Sequence, residues 1–244
     1  MQRDKNEGSL NLSSLAREQG AIQIIECPRD AMQGWKTFIP TEKKIEYINS
    51  LLKVGFDIID FGSFVSPKAI PQMADTKEVL KKLDVDNLKT KLLAIIANTR
   101  GAKEAIVYDE ISLLGFPFSI SPTFQQRNTN STIEQSLATV DDIQTLCVKY
   151  KKQLVIYLSM AFGNPYGDEY NKEVLLHWAD EMVRKNIVII SLADTVGVAN
   201  AEQIRVALNT LVRKYKHIQF GVHLHSTAQN WKKKVAAAYN EGCM

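Results

Sequence analysis

Seven short apolar segments alternate along this chain with longer amphipathic ones, and this alternation constrains the fold more than any other feature. The short segments are rich in β-branched residues and nearly continuous in apolar character, which is typical of parallel strands covered on both faces. The predicted strands are residues 22–27, 57–61, 91–97, 115–121, 154–159, 187–192 and 219–225. The predicted helices are residues 41–54, 75–83, 98–105, 131–150, 172–185, 201–214 and 231–240.

Strand–helix units that follow one another without a linker indicate an α/β fold, and 244 residues suit one barrel domain. The two candidate architectures are a TIM barrel and a doubly wound open sheet. The first predicted strand ends in Cys27-Pro28-Arg29-Asp30 instead of a Gly-x-Gly-x-x-Gly motif, which favours the barrel. Because about seven units are visible, we predict a TIM (β/α)8 barrel whose eighth strand and helix are missing from this chain.

Composition excludes several classes of protein. The chain has 30 Lys and Arg residues and 27 Asp and Glu residues, a net charge of +3. This small excess does not indicate the basic stripe of a dedicated nucleic-acid-binding protein. No apolar run approaches the ~18–20 residues of a membrane span, and the lysine run at 232–234 is typical of a solvated helix face. Cys27, Cys147 and Cys243 form an odd, sparse set that suits a reducing compartment. We therefore predict a cytoplasmic protein with no membrane and no nucleic-acid partner.

The His223-Leu224-His225 segment is the sharpest local signal for chemistry. Residues i and i+2 of a strand point to the same face, so both imidazoles would face one metal ion. In barrels, active sites collect at the carboxyl ends of the strands, where this segment falls. The alternative is a pair of half-buried polar residues that share a strand end by chance.

Acidic residues follow other predicted strands at the same edge. Asp30, beside Arg29, follows strand one, Asp60 ends strand two and Asp194 ends strand six. A carboxylate from Asp30 would complete a mixed ligand set that suits Mg²⁺ or Mn²⁺ better than a closed zinc site. Arg29 would place a permanent cation where negative charge develops on a substrate. Alternatively, each acid caps a turn or forms an ordinary ion pair.

Longer motifs extend these signals over most of the chain. They are Ile25-Glu26-Cys27-Pro28-Arg29-Asp30-Ala31-Met32-Gln33, Ser63-Phe64-Val65-Ser66-Pro67-Lys68, Pro71-Gln72-Met73, Ser191-Leu192-Ala193-Asp194-Thr195-Val196-Gly197 and Val222-His223-Leu224-His225. In this order they resemble the hydroxymethylglutaryl-CoA lyase family of the DRE-TIM metallolyase superfamily. The resemblance implies an N-terminal extension at residues 1–20 and a pyruvate carboxyltransferase-like TIM-barrel domain at residues 21–244.

The resemblance also implies roles for individual residues. The implied metal ligands are Asp30, His223 and His225, the implied catalytic residues are Arg29, Asp60 and His223, and the implied substrate contacts are Arg29, Ser63, Tyr157 and Asp194. Arg29 would stabilise the enolate of the departing acetyl-CoA, and His223 is the first candidate for handling the substrate proton. Asp60 stands where the family has glutamate, one methylene longer, which puts its reach in question.

Other departures from the family concern the surroundings of the site. Ala31 replaces a common glycine, and Ser226 replaces an aspartate directly after the histidine pair, which weakens the orientation of the ligands. The family's glycine-rich loop after strand eight, with its catalytic cysteine and asparagine ligand, has no counterpart here. Cys243 precedes the expected position of that loop and is not the catalytic cysteine.

The implied reaction is the cleavage of 3-hydroxy-3-methylglutaryl-CoA to acetyl-CoA and acetoacetate, as in leucine degradation and ketone-body metabolism. It would need Mg²⁺ or Mn²⁺ and an acyl-CoA substrate, and a homodimer is compatible with the resemblance. The alternatives are a condensing enzyme of the isopropylmalate or homocitrate synthase type and an inactive fragment. We expect the chain as given to be inactive without its eighth unit, and Arg29→Met to impair turnover while barely changing metal affinity.

Overall fold

The computed structural model describes residues 22–86 and 89–243 and contains all seven predicted strands. The prediction for residues 1–20 lies outside the described residues. The strands are β1 (Ile25–Glu26), β2 (Ile58–Ser63), β3 (Lys91–Ile95), β4 (Ile111–Ser119), β5 (Gln153–Ser159), β6 (Ile189–Asp194) and β7 (Gln219–Leu224).

All seven strands form one parallel sheet in the order β1-β2-β3-β4-β5-β6-β7, so each strand pairs with the next one along the chain. This order, with helical connections, is that of a curled TIM-barrel-like α/β sheet, as predicted. Among the described residues, β1 pairs only with β2 and β7 only with β6, which leaves these two strands as edges. The carboxyl ends of all strands lie at one mouth of the curled sheet.

The described ranges also contain nine α-helices. They are α1 (Pro28–Gln33), α2 (Thr41–Leu52), α3 (Thr76–Leu80), α4 (Thr99–Ala105), α5 (Pro122–Thr129), α6 (Ile133–Lys149), α7 (Lys172–Arg184), α8 (Ala201–Lys214) and α9 (Trp231–Asn240). Helices α1 and α5 were not predicted, and both begin with a proline, which fits the first helical turn because its missing N–H has no partner there. None of the helices that the structure describes is long and apolar enough to cross a bilayer.

The apolar core lies mainly between the sheet and its helices. A second, smaller cluster lies inside the curled sheet and consists of Ile58, Leu93, Leu113, Val155 and Tyr157. Successive residues of a strand point to opposite faces, so Leu93 belongs to the inner cluster while its neighbours Leu92 and Ala94 belong to the outer one. The inner cluster forms the floor beneath the mouth of the sheet.

Gln72, in the short 3₁₀-helix Pro71–Met73, fixes the loop between α1 and α2. Its buried side chain accepts a hydrogen bond from the Ile39 N–H at 2.9 Å and donates to the carbonyl oxygens of Trp35 at 3.0 Å and Thr37 at 2.8 Å. The Pro71-Gln72-Met73 motif therefore has a structural task here, because one amide group satisfies three backbone groups of a loop that follows the Arg29-Asp30 helix.

We expect Gln72→Leu to lower the free energy of unfolding by about 1–3 kcal/mol, because the substitution leaves backbone groups without their partner. Urea denaturation measures this loss. The matched control is Gln126→Leu in α5. The exposed Gln126 amide donates to Asn130 Oδ1 and has no other side-chain partner in the described part of the chain, so its loss should cost less than about 0.5 kcal/mol. Equal losses in both variants would contradict the role of Gln72.

Candidate metal centre

Asp30, His223 and His225 come together at the mouth of the curled sheet. Each offers one ligand atom, and these three atoms lie within 4.8 Å of one another. Asp30 Oδ2 is 3.4 Å from His223 Nε2 and 3.7 Å from His225 Nε2. The first of these residues lies in α1 and the other two at the end of β7, so the cluster bridges the two edge strands of the sheet.

The local structure explains why these side chains converge. His223 lies within β7, and His225 follows the last strand residue, so the two imidazoles share a face with ring centroids 5.4 Å apart. The sequence places Arg29 and Asp30 at the end of the first predicted strand, but β1 already ends at Glu26. They lie in the first turn of α1, because Pro28 starts this helix directly after Cys27.

Arg29 and Gln33 orient the Asp30 carboxylate. Arg29 Nη1 donates to Asp30 Oδ1 at 2.9 Å and to Gln33 Oε1 at 2.9 Å, and Gln33 Nε2 donates to Asp30 Oδ1 at 2.8 Å. Both donors therefore bind Oδ1, and the other oxygen, Oδ2, faces the two histidines. Gln33 was not among the predicted site residues; its spacing of four and three residues from Arg29 and Asp30 places it on their side of a helix.

The Asp30 carboxyl group is held in its ionised form. The contact with His223 lowers its pKa, burial raises it, and the charges of Arg29 and both histidines lower it further, so that the pKa lies well below its ordinary value. An ionised carboxylate beside two imidazoles fits the donor set of a divalent cation. His225 keeps 47 % of its side chain exposed, which leaves room beside the cluster for water or a substrate oxygen.

Asp60 pairs with Arg29 beneath this cluster. The guanidinium donates from Nε to both Asp60 oxygens at 3.1–3.2 Å and from Nη2 to Oδ2 at 2.5 Å. Burial lowers the pKa of Arg29, but the charge and hydrogen bonds of Asp60 raise it above its ordinary value. The shorter aspartate side chain thus reaches the arginine, and Arg29 stays charged although it is buried.

Ser63 and Tyr157 lie deeper than the cluster. The Ser63 hydroxyl is buried and accepts a hydrogen bond from the Val65 N–H at 3.3 Å. The Tyr157 ring belongs to the inner core cluster and meets the His223 ring edge-on, with centroids 6.0 Å apart. Burial, followed by the charge of Asp60, raises the pKa of Tyr157 well above its ordinary value, so this phenol is neutral.

Asp194 and Lys234 form a buried ion pair next to the cluster. Lys234 Nζ donates to Asp194 Oδ2 at 2.7 Å and to the His225 carbonyl oxygen at 2.8 Å, and Asp194 Oδ1 accepts from the Ala199 N–H at 3.0 Å. Both carboxylate oxygens are engaged within the protein, so the predicted substrate contact of Asp194 does not follow from this geometry. The prediction of a solvated lysine run is correct for Lys232 and Lys233 and wrong for Lys234, which is buried.

The cysteines take no part in this cluster. Cys27 Sγ donates to the Ile25 carbonyl oxygen, and burial raises the pKa of its thiol far above the ordinary value. Burial likewise raises the pKa of Cys243 to about 11, which keeps this thiol protonated and unreactive near neutral pH. The expectation that Cys243 is not a catalytic cysteine agrees with this chemistry.

Several curated proteins are similar in sequence to this chain. A hydroxymethylglutaryl-CoA lyase of Bacillus subtilis is 32 % identical over 200 residues, which are 82 % of this chain and 66 % of that relative. A human 3-hydroxy-3-methylglutaryl-CoA lyase described as cytoplasmic is 30 % identical over 213 residues, 84 % of this chain and 55 % of the relative. A relative from rat is described as mitochondrial. The chain therefore spans two thirds or less of the length of these curated relatives.

Solved structures and a family model agree with this relationship. An HMG-CoA lyase from Acinetobacter baumannii, in complex with coenzyme A and 3-methylmalate, matches with a TM-score of 0.84 and 31 % identity over 91 % of this chain and 72 % of that chain. The HMGL-like family model matches residues 21–243, which is nearly all of the sequence. The chain therefore belongs to the HMGL-like family.

Proposed function

We propose that this protein is a divalent-metal-dependent lyase that cleaves 3-hydroxy-3-methylglutaryl-CoA to acetyl-CoA and acetoacetate. The observation that carries the proposal is the cluster of Asp30, His223 and His225 beside the Arg29–Asp60 pair, because it joins a cation site to a buried, permanently charged donor. The names of the relatives support this substrate, and the coenzyme A bound to the Acinetobacter enzyme supports an acyl-CoA.

The proposed metal ligands are Asp30 Oδ2 and the Nε2 atoms of His223 and His225, and Mg²⁺ or Mn²⁺ suits this oxygen and imidazole set. When bound, such a cation supplies Lewis acidity, which lowers the pKa of a substrate hydroxyl group. Arg29 and Gln33 hold Asp30 Oδ1, so the carboxylate presents Oδ2 to the cation without having to reorient.

Arg29 is the proposed residue for the enolate of the departing acetyl-CoA. A guanidinium has five N–H donors, and contacts with described residues use four of them, one on Nε, two on Nη1 and one on Nη2. The remaining N–H on Nη2 is free to donate to a substrate oxygen. Asp60 fixes the plane of the guanidinium, so the donor is in place before negative charge develops.

His223 is the proposed residue for handling the C3 hydroxyl proton, and its Nε2 could accept this proton only while it does not bind the cation. Its ring lies between the Asp30 carboxylate and the Tyr157 ring, which restrict its rotation, and 22 % of its side chain is exposed at the mouth. Tyr157 and Ser63 stay predicted substrate contacts near the floor of the mouth. Asp194 binds Lys234 and the Ala199 N–H, which supports a structural role for this residue and not a substrate contact.

We infer an acyl-CoA as the small-molecule partner, a homodimer as the assembly and the cytoplasm as the location. The cytoplasmic inference rests on Cys27, Cys147 and Cys243, which are all free thiols, as is usual in a reducing compartment. If the proposed reaction is correct, the protein takes part in leucine degradation and ketone-body metabolism.

The test measures two properties of the purified chain: Mn²⁺ binding, and acetoacetate release from 3-hydroxy-3-methylglutaryl-CoA with Mg²⁺ or Mn²⁺. Metal-dependent release of acetoacetate would confirm the proposal. Mn²⁺ binding without acetoacetate would support the site and contradict the activity of this chain, as the hypothesis of a missing eighth unit expects. Condensation of acetyl-CoA with a 2-oxo acid would favour the synthase alternative.

A further inference from the structure

We infer that Lys234 is a positioning residue that holds the backbone of His225 in place for metal binding, an inference that rests on the proposed metal site. Lys234 belongs to α9, and its side chain is only 3 % exposed. Its ammonium group lies 2.8 Å from the carbonyl oxygen of His225 and 2.7 Å from Asp194 Oδ2. The three residues thus join the ends of β6 and β7 to the helix that follows.

His225 needs such support because the sheet does not hold it. The last pair in the register between β6 and β7 is Asp194 with Leu224, so His225 lies one residue beyond the ladder. Among the described residues, β7 has no strand on its other side. The Lys234 hydrogen bond acts on the first backbone carbonyl beyond the strand, where a small backbone rotation would move the imidazole.

Asp194 in turn fixes the ammonium group. Its Oδ1 accepts from the Ala199 N–H at 3.0 Å, which locks the carboxylate on the loop after β6, while Oδ2 binds Lys234. A buried ammonium is stable only where it is paired and hydrogen-bonded, and here it has two acceptors. Asp194 therefore holds the Lys234 ammonium group in position, and Lys234 in turn holds the backbone of His225.

The sign of the effect on metal affinity distinguishes positioning from simple charge. Lys234 carries a positive charge next to a cation site, so removing the charge alone would strengthen metal binding by electrostatics. Removing the negative charge of Asp194 alone would weaken metal binding, because an attractive charge near the cation would be lost. Positioning predicts the opposite for Lys234, since without its hydrogen bond His225 would lose the orientation that the ligand set requires.

We expect Lys234→Met to weaken Mn²⁺ binding by about 10- to 100-fold, the usual cost of losing a partner that orients a metal ligand. Electron paramagnetic resonance of free Mn²⁺ measures the affinity without substrate or turnover. Lys234→Gln keeps an N–H donor for the His225 carbonyl, so this variant should lose less Mn²⁺ affinity than Lys234→Met. An unchanged or tighter affinity in Lys234→Met would overturn the inference.

Lys44→Met is the matched control, because Lys44 is also a buried lysine with one aspartate and one carbonyl partner. Lys44 Nζ donates to Asp75 Oδ1 at 2.7 Å and to the Gln72 carbonyl oxygen, and none of these groups belongs to the cluster. We expect both lysine variants to lower the melting temperature and only Lys234→Met to lower Mn²⁺ affinity by the stated factor. An equal loss of affinity in both, or failure of both Lys234 variants to fold, would mean that Lys234 has a general structural role.

The same measurements separate this inference from the proposed function. If the unsubstituted chain binds Mn²⁺ and Lys234→Met binds it more weakly, positioning is supported even when no 3-hydroxy-3-methylglutaryl-CoA is cleaved. If the unsubstituted chain does not bind Mn²⁺, both the metal site and the positioning of His225 are wrong.

Discussion

Asp30→Ala is expected to weaken Mn²⁺ binding by more than about 100-fold. Loss of a group that only orients a ligand costs about 10- to 100-fold, and Asp30 is the sole carboxylate in the cluster and therefore supplies its only negative charge. Without it, only the two imidazoles would face the cation. Isothermal titration calorimetry with Mn²⁺ at neutral pH, where the unsubstituted carboxyl is fully ionised, measures the difference.

The fold should survive the Asp30 substitution, because 28 % of this side chain is exposed and water can replace it at the Arg29 and Gln33 donors. Asp142→Ala on α6 is a suitable control: this exposed aspartate accepts a hydrogen bond from the Thr99 hydroxyl at 3.2 Å, and its side chain has no other partner within residues 22–86 and 89–243. It should leave Mn²⁺ affinity unchanged. If Asp30→Ala binds Mn²⁺ as tightly as the control variant, the proposed metal centre is wrong.

The strands were predictable because their signal is local. Strands β2 to β6 are almost entirely buried, and burial on both faces of a covered parallel sheet requires the nearly continuous apolar runs that predicted them. The start of α6 was equally local: Thr132 accepts from the Gln135 N–H while the Gln135 side chain accepts from the Thr132 N–H, which is the capping box that the Thr-x-x-Gln spacing indicates. Helices α1 and α5 escaped prediction because their sequences, Pro-Arg-Asp-Ala-Met-Gln and Pro-Thr-Phe-Gln-Gln-Arg-Asn-Thr, show no apolar periodicity of a helix.

The site was predictable only in part, because its contacts join distant parts of the chain. The spacing of His223 and His225 placed them on one face, but nothing local shows that Asp60 would bind the guanidinium of Arg29, 31 residues away. A packed sheet creates that contact by setting α1 against β2. The assignment of Asp30 to the histidine pair rested on their place at strand ends and on the family resemblance, and it required the sheet to curl.

The burial of Lys234 had a signal that the lysine run concealed. Lys234 lies three and four residues before Ala237 and Ala238, and these three residues form the buried face of α9. Helical periodicity separates Lys234 from Lys232 and Lys233, whereas composition groups all three together. Its partners, Asp194 and the His225 carbonyl, could be identified only from the fold.

Arg29→Met is expected to lower the free energy of unfolding by about 3–5 kcal/mol at neutral pH, because it leaves the buried Asp60 carboxylate unpaired. Burial already raises the pKa of Asp60 above the model-peptide value of 3.8, and loss of Arg29 raises it further. The folded variant then holds a proton that the unfolded chain releases, so its stability falls as pH rises above about 4. Urea denaturation between acid and neutral pH should show the smallest deficit in acid, and a deficit that is independent of pH would contradict this account.

In a protein that releases acetoacetate, the same substitution is expected to lower turnover by about 10²- to 10³-fold, because it removes a fixed donor from the developing enolate. Arg29→Met with Asp60→Leu removes the buried charge as well and should recover much of the stability, since an apolar pair of similar volume often replaces a buried ion pair without loss. Turnover should not recover. The structure also changes one sequence-based expectation: Arg29 Nη1 binds Asp30 Oδ1, so Mn²⁺ affinity should fall by about 10-fold instead of barely changing. A stable double variant with near-normal turnover in acetoacetate release would show that Arg29 serves the fold and not the reaction.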